Sequence, residues 1–598
     1  MSGWLALVRF AGGPVEPALV ASCMAQLKPR GPHGEAVLHD GSAALGLTIL
    51  DTGETVPTAR APVRVGPLLV TGHARLDARD ELGRLLGIAP ATLAELSDLA
   101  LLAHALERFG DDTPARVFGE YAAAAWDASR QRLVVVRDAF GVRPAYVSRV
   151  GPWAIASNTL DAVRAHPAVS ERLDDEAILE FLMLDWIVGP GRTPFVDVHL
   201  APAGGSWSAT PEGAREATAW TLAPPEVDRR TPWPEQALRY QEALDRATAD
   251  RLRGARASIS LSGGIDSTSV AASAALLGAD KLYAMTEVMS AVRAGRDEEG
   301  DWAALAARHL GIRHEIFPIG VPPPDEPFAW APLLAPSLTC EPWKVPDTGS
   351  WASMAAHSAV VLHGEGGDEI WRASELTELV GAEPWGALAR GVVATLKKGR
   401  RPPMGLNIRG RLRGTRRPVR PPAWLAPELA GRFDLEELVR RGLALIAPRH
   451  RGPRAGSLKG LHTALWQGSN AEYDTQASAA GVEVRFPLLD RRVVEAALRL
   501  PPLPAVVDKL AARTALVGRL PDALVWRKKT PAAPIDDRRE VRPPWARLPP
   551  ASRLPYYVDV VRLKADADEH GTTWETLRAV SLWRWLAGGA RRPGARPT

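Results

Sequence analysis

Apolar positions over the first two hundred residues come in short runs between turns. Val65–Thr71 and Leu133–Arg137 are examples, and runs of that length bounded by Gly, Pro and Asp predict strands. Two segments break the rhythm. Asp80–Leu86 and Leu96–Phe109 carry apolar residues at three- and four-residue spacing, which predicts helices. A Pro-rich stretch from Ala223 to Pro234 reads as a linker, and a long helix follows over Gln236–Arg253. Beyond it the pattern alternates. Ser258–Leu261, Lys281–Thr286, Gly311–Phe317 and Ala359–Leu362 read as strands, with Val270–Leu277 and Asp301–Leu310 as helices between them. Strand–helix–strand alternation predicts a parallel sheet with right-handed crossovers, and ligands at the carboxyl ends of its strands. Helical spacing returns at His462–Ala480 and at Val493–Leu500, the latter stopped by Pro501.

These elements predict an α/β protein: a β-rich domain over 1–208, a Pro-rich linker over 209–235, and a doubly wound parallel-sheet domain over 236–587. Residues 588–598 read as a disordered tail. Composition sharpens this little. A chain of 598 residues, 46% hydrophobic and 24% charged, has the profile of a soluble globular protein. Two cysteines, Cys23 and Cys340, make neither a disulfide framework nor a zinc site. There is no apolar run of about 18 residues, hence no expected membrane span, and no basic leader, so the cytoplasm is the expected compartment. Net charge is only +4, but Lys397–Arg420 holds ten Lys or Arg and no acid. That insert lacks interleaved aromatics, and no recognition-helix signature accompanies it, so nucleic acid is not an expected partner. A solvated surface loop accounts for it, as does a cover that attracts an acidic peptide or phosphates.

Two stretches carry candidate chemistry. In Leu261-Ser262-Gly263-Gly264-Ile265-Asp266-Ser267, a strand leads through a Gly turn into a helix with Asp266 or Ser267 as its cap. A strand, a Gly turn and a helix N-terminus make an anion site, since free N–H groups and the positive dipole end point at one place. No Lys follows the glycines, which separates this loop from the Gly-Lys-Ser/Thr nucleotide loop. Asp266 suits a metal that bridges phosphates. The second stretch, His363-Gly364-Glu365-Gly366-Gly367-Asp368-Glu369, follows a buried strand. Its glycines let backbone approach a nucleotide, and Asp368 would complete a magnesium site with Asp266.

The first loop resembles the pyrophosphate loop of N-type ATP pyrophosphatases, and the second resembles the corresponding segment of asparagine synthetases. Further matches to that family lie in Gly119–Asp127, Arg137–Tyr146, Glu483–Asp490 and Trp526-Arg527-Lys528-Lys529, while Asp508–Arg513 matches loosely. The resemblance implies an Ntn-type glutaminase-like sandwich followed by an adenylating synthetase domain. It implies ATP and Mg²⁺ as cofactors, with ATP held by Leu261, Ser262, Gly263, Gly264, Asp266, Ser267, Met285, His363, Gly364 and Glu365. It places a catalytic lysine at Lys529, a base at Glu365 with Tyr473 as its partner, and the metal on Asp266 and Asp368. One departure matters: the family's nucleophilic cysteine after the initiator Met is Ser2 here, and the glutamine-holding segment reads Gly72–Arg79. A hydroxyl lacks the acidity of a thiol near pKa 8.5, so glutamine hydrolysis is not expected. The amine should then come with the substrate. Within the family, Gly72–Arg79 resembles that of lasso-peptide cyclases, implying a precursor peptide as substrate and a leader-binding protein and leader protease as partners. Ammonia-dependent asparagine synthesis, a β-lactam synthetase-like reaction and an inactive binding scaffold are the alternatives.

Overall fold

The structure is a computed structural model. It describes residues 1–224, 226–288, 298–318, 338, 348–404, 421–528, 545, 548 and 550–589. Twelve strands build the N-terminal domain: β1 (Trp4–Arg9), β2 (Glu35–Asp40), β3 (Ala43–Thr48), β4 (Val63–Val65), β5 (Leu68–Leu76), β6 (Gly119–Asp127), β7 (Arg132–Arg137), β8 (Tyr146–Val150), β9 (Trp153–Ser157), β10 (His199–Leu200), β11 (Gly205–Thr210) and β12 (Gly213–Thr218). They form two six-stranded sheets, ordered β10-β8-β9-β1-β3-β2 and β12-β11-β7-β6-β5-β4. Successive side chains of a strand point to opposite faces. In β1, Trp4, Ala6 and Val8 pack with Trp126 and Val135 in the core between the sheets. Leu5 and Leu7 point the other way, into a second core with Phe181 and with Trp424 and Leu582 from the far end of the chain. Burial on both faces explains why β1 is continuously apolar rather than alternating.

Two expectations need correction here. The run Val65–Thr71 is not one strand: Gly66 takes φ +53°, and with Pro67 it turns the chain between β4 and β5. The expected domain end at residue 208 falls inside the β11–β12 hairpin, whose register pairs Ser208 with Arg215. The N-terminal sheet therefore runs on to Thr218, because the small and polar side chains of Gly213–Thr218 are those of a solvent-facing edge strand.

The second domain is organised on five parallel strands, β13 (Ala257–Ser260), β14 (Leu282–Val288), β15 (Arg313–Pro318), β16 (Val360–Leu362) and β17 (Glu483–Arg485). Their order is β15-β14-β13-β16-β17, so the chain's direction of progress reverses between β13 and β16. That switch point leaves a crevice at the carboxyl ends of these two strands, where open α/β sheets bind ligands. Five helices matter below: α1 (Trp233–Leu252), α2 (Ile265–Ala275), α3 (Glu299–Leu310), α4 (Trp385–Lys397) and α5 (Leu465–Ala479). Tyr240 and Leu244 of α1 and Val270 of α2 share a core with Ile259, Val361 and Val484 of the sheet. Among the described residues, no helix is long and apolar enough to cross a membrane.

The two domains are joined by buried charge. Arg30 pairs with Asp474 at 2.6 Å. Arg251 at the end of α1 reaches Glu120 and Asp490, each at 3.0 Å, and lies 3.4 Å from Asp77. Arg143 pairs with Glu120 at 2.7 Å and donates to the carbonyl of Val484 at 2.8 Å. All of these groups are essentially without solvent contact, so each charge depends on its partners.

Candidate active site

Strand β13 ends where Ser258–Ser260 gives way to small residues, and the chain turns at Gly263, φ +66°. A Cβ there would stand 2.7 Å from Trp302 Cβ and 2.8 Å from the Ala303 nitrogen of α3, so only glycine fits. Helix α2 then starts one residue earlier than Asp266. Its cap is Gly264, with no capping side chain, which corrects the expectation that Asp266 or Ser267 caps it. The Ser267 hydroxyl instead accepts the Ser262 N–H at 3.1 Å and meets the Ser262 hydroxyl at 3.1 Å, fixing the loop's curl. With no capping side chain, donors at the helix start remain for an incoming anion. Leu261 donates its N–H to the Met285 carbonyl at 2.8 Å, which ties the loop's base to β14.

The second loop leaves β16 one strand over and presses on the first. A Cβ at Gly364 would stand 2.7 Å from the Ser267 nitrogen, and one at Gly367 would stand 2.3 Å from Asp266 Cγ. This contact brings together residues about a hundred positions apart. Lys509 donates to Asp266 and, at 2.5 Å, to Asp368 Oδ1. Burial alone would lower the Lys509 pKa, but the two carboxylates outweigh it and the ammonium is held above its ordinary range. Lys509 was legible in the sequence only as a loose family match. Its backbone explains part of its role: Asp508 and Lys509 both take positive φ, +51° and +56°. Two consecutive non-glycine residues in that region cost about 1–3 kcal/mol each and need support from their surroundings. Arg400 at 2.6 Å and Arg513 at 3.3 Å supply it by gripping Asp508.

The same geometry tests the fit of a metal. Two hard carboxylate oxygens already converge on one cationic group, and a divalent ion that takes its remaining ligands from phosphates and water suits that donor set. Asp266 and Asp368 are therefore the residues that would hold Mg²⁺.

Glu365 lies on the second loop, and the Tyr473 hydroxyl of α5 donates to its Oε2 at 3.1 Å. Burial raises the Glu365 carboxyl to about 7, and the charges of Glu369, Asp368 and Asp266 push the same way, while the Tyr473 hydrogen bond opposes them. His363 Nδ1 accepts the Glu365 N–H at 3.2 Å, and burial lowers that imidazole to about 4, so it is neutral. The rings of His363, Tyr473 and Phe486 pack against one another with centroids 4.9–5.9 Å apart. A carboxyl poised near neutrality, beside two phosphate-type loops, can take a proton from an amine. Lys529 lies outside the described residues. Arg527, two positions before it, donates to the Gly263 carbonyl at 3.1 Å.

The N-terminal domain offers no nucleophile of comparable quality. Ser2 Oγ accepts the Leu50 N–H at 3.1 Å. The cavity beside it, lined by Gly72, His73, Arg75, Glu483 and Arg485, holds about 60 Å³. Ligand sites of roughly 300–1,000 Å³ are the rule. Cys23 is fully buried, and burial pushes its thiol up to about 12. Cys340 lies outside the described residues.

Comparison with known proteins agrees with this division. A family model described as "Asparagine synthase" matches residues 239–588, and one described as "Glutamine amidotransferase domain" matches residues 1–221. Asparagine synthetase (glutamine-hydrolyzing) 3 of Bacillus subtilis (strain 168) is 26% identical over 186 residues, 30% of this chain and 29% of its own length. A putative asparagine synthetase (glutamine-hydrolyzing) of Mycobacterium tuberculosis (strain ATCC 25618 / H37Rv) is 27% identical over 410 residues, 62% of this chain and 60% of its own. The chain thus spans less than two thirds of the length of these relatives. A glutamine phosphoribosylpyrophosphate amidotransferase from B. subtilis, solved with ADP and GMP, aligns at 13% identity and a TM-score of 0.27 over 52% of this chain and 65% of its own.

Proposed function

The chain belongs to the asparagine synthase family, and from that premise we propose that it is an ATP-dependent, AMP-forming amide ligase that closes a ring in a peptide. It would adenylate an Asp or Glu side chain of a precursor peptide and join it to the peptide's own N-terminal amine, as a lasso-peptide cyclase does. The observation that carries the ligase reading is the convergence of Asp266, Asp368 and Lys509 at the switch point, with Glu365 and Tyr473 beside them. In this reading the substrate carboxylate attacks the α-phosphorus of ATP, and pyrophosphate leaves against the N–H groups at the start of α2. Mg²⁺, when bound, would neutralise charge on the phosphates. Lys509, held between Asp266 and Asp368, would add positive charge beside the phosphates. The amine then attacks the acyl carbon and AMP departs, with Glu365 taking the amine proton at Oε2 and the Tyr473 hydroxyl fixing that oxygen.

Two features speak against ammonia drawn from glutamine and so favour an amine carried by the substrate. Position 2 carries a hydroxyl, and the buried Cys23 thiol has no access to substrate. A second reading, asparagine formed from free aspartate and ammonia, is favoured by the names of the two relatives. ATP–pyrophosphate exchange separates the readings. Exchange that requires a peptide with an N-terminal amine and an internal Asp or Glu supports the cyclase. Exchange driven by free aspartate supports the synthetase, and none with any carboxylate leaves a binding scaffold. A leader-binding protein and a leader protease would be partners of the cyclase.

A further inference from the structure

Helix α4 is apolar on more than its buried side. Leu388, Gly391 and Thr395 face inward, and a Cβ at Gly391 would stand 2.8 Å from Leu503 Cβ. Trp385, Ala389, Val393 and Leu396 follow at steps of four, four and three, which aligns them along another face. That stripe is open to solvent: Trp385 is 72% exposed, Val393 50% and Leu396 56%. Three large apolar side chains in one line differ from the single exposed apolar residues any surface carries.

The border of the stripe is cationic. By helical spacing Arg390 and Lys397 share an edge beside it, and Lys398 and Arg401 continue past the helix end. Residues 385–401 contain no Asp or Glu. The nearest preceding acids are engaged elsewhere, Glu378 by Lys459 and Glu383 by Arg229 at 2.8 Å. The helix also points at the chemistry. Arg400, just past its end, holds Asp508 at 2.6 Å, and Asp508 precedes the lysine that joins the two metal-type carboxylates.

We propose that the outward face of α4 docks an acidic amphipathic segment of the peptide substrate, outside the reacting portion, and feeds the rest toward Asp266 and Asp368. This rests on the reading of the chain as a peptide cyclase. Charge complementarity selects the occupant: a stripe of apolar side chains with an all-basic border accepts apolar residues flanked by carboxylates. A second copy of the same face would set like charges against each other.

The test uses the full chain and two fluorescein-labelled amphipathic probes, one of leucine and glutamate and one of leucine and lysine, read by anisotropy without ATP. The glutamate probe should bind and the lysine probe should not. Trp385→Ser with Leu396→Ser should weaken binding at least about tenfold, and Arg390→Glu with Lys397→Glu should do the same. Equal binding of both probes, or binding indifferent to these substitutions, would overturn the proposal. So would a dimer in sedimentation, or capture of phosphatidylglycerol vesicles, that the Ser variant abolishes. The reading beneath it fails separately. Absence of peptide-dependent exchange in the unsubstituted chain would remove the cyclase while the anisotropy result stood. Exchange retained with a peptide of normal KM in the Ser variant would remove the docking face alone.

Discussion

At the scale of single residues, the most informative group is Glu365. Its carboxyl sits near 7 because burial and neighbouring acids disfavour its charge. A base must be ionised to accept a proton, so amide formation should rise with pH through about 7. The Tyr473 hydroxyl stabilises the ionised form. Tyr473→Phe removes that bond, raises the Glu365 pKa further, and should move the rising limb of the pH–rate profile to higher pH; a limb that moves down or stays put contradicts the pairing. Glu365→Gln should abolish amide formation while pyrophosphate exchange survives, since the amine plays no part in adenylation. The Lys509–Asp266 ion pair behaves oppositely. Lys509→Met and Asp266→Asn should each cut exchange itself, by about 10²–10³ for the lysine, the size of effect seen when one preorganised donor to developing charge is lost. Full exchange in Asp266→Asn would end the metal assignment. Asp266, Asp368 and Glu365 could be picked out of the sequence because each sits in a glycine-rich loop after a short apolar strand. Lys509 showed only in a loose family match, and its role did not show at all, because its position depends on a backbone turn at Asp508 that no local pattern announces.

At the scale of elements, the site is a contact between two loops, and glycine sets how close they come. Gly367→Ala would place a methyl 2.3 Å from Asp266 Cγ. Gly367 is buried, but the three nearest atoms a Cβ would meet all belong to the Asp266 side chain, so the fold should survive while the carboxylate moves. Thermal unfolding is expected to shift little while nucleotide-dependent exchange falls at least about tenfold; unchanged exchange would show that the loops are not locked together. Element existence was readable from periodicity: α1, α2, α3 and α5 and the strands β13, β14, β15 and β16 all stand close to their expected places. Their ends were less readable. Helix α2 begins at Ile265 with a bare glycine cap, because the Ser267 hydroxyl is spent on Ser262 and Asp266 on Lys509. Val65–Thr71, expected as one strand, is split by a hairpin turn at Gly66-Pro67.

At the scale of the whole molecule, buried arginines fasten one domain to the other. Arg251 alone serves Glu120, Asp490 and Asp77. Arg251→Met keeps the volume but removes one cation from three buried carboxylates, which keep Arg75, Arg143 and Arg492, so unfolding should become easier by about 1.5–3 kcal/mol, read as a lower urea midpoint. Burial by itself would raise Asp77, Glu120 and Glu483, yet the neighbouring arginines outweigh it and hold all three below their ordinary range. Folded carboxyls with depressed pKa values stabilise the fold fully above the unfolded values near 4. That stability is lost as pH falls below them. The urea midpoint should therefore drop steeply below pH ~4, and less steeply in Arg251→Met; equal slopes would contradict the network's role. The chain's local patterns determined its two-domain plan, the parallel sheet, and the two loops that carry Asp266, Glu365 and Asp368, because hydrophobic period and glycine placement are properties of neighbouring residues. Only the tertiary structure decided that these acids meet around Lys509, that Tyr473 reaches Glu365, and that Arg251 spans both domains. Each of those is a contact between residues more than a hundred positions apart, set by the order of strands in a sheet rather than by any stretch of sequence.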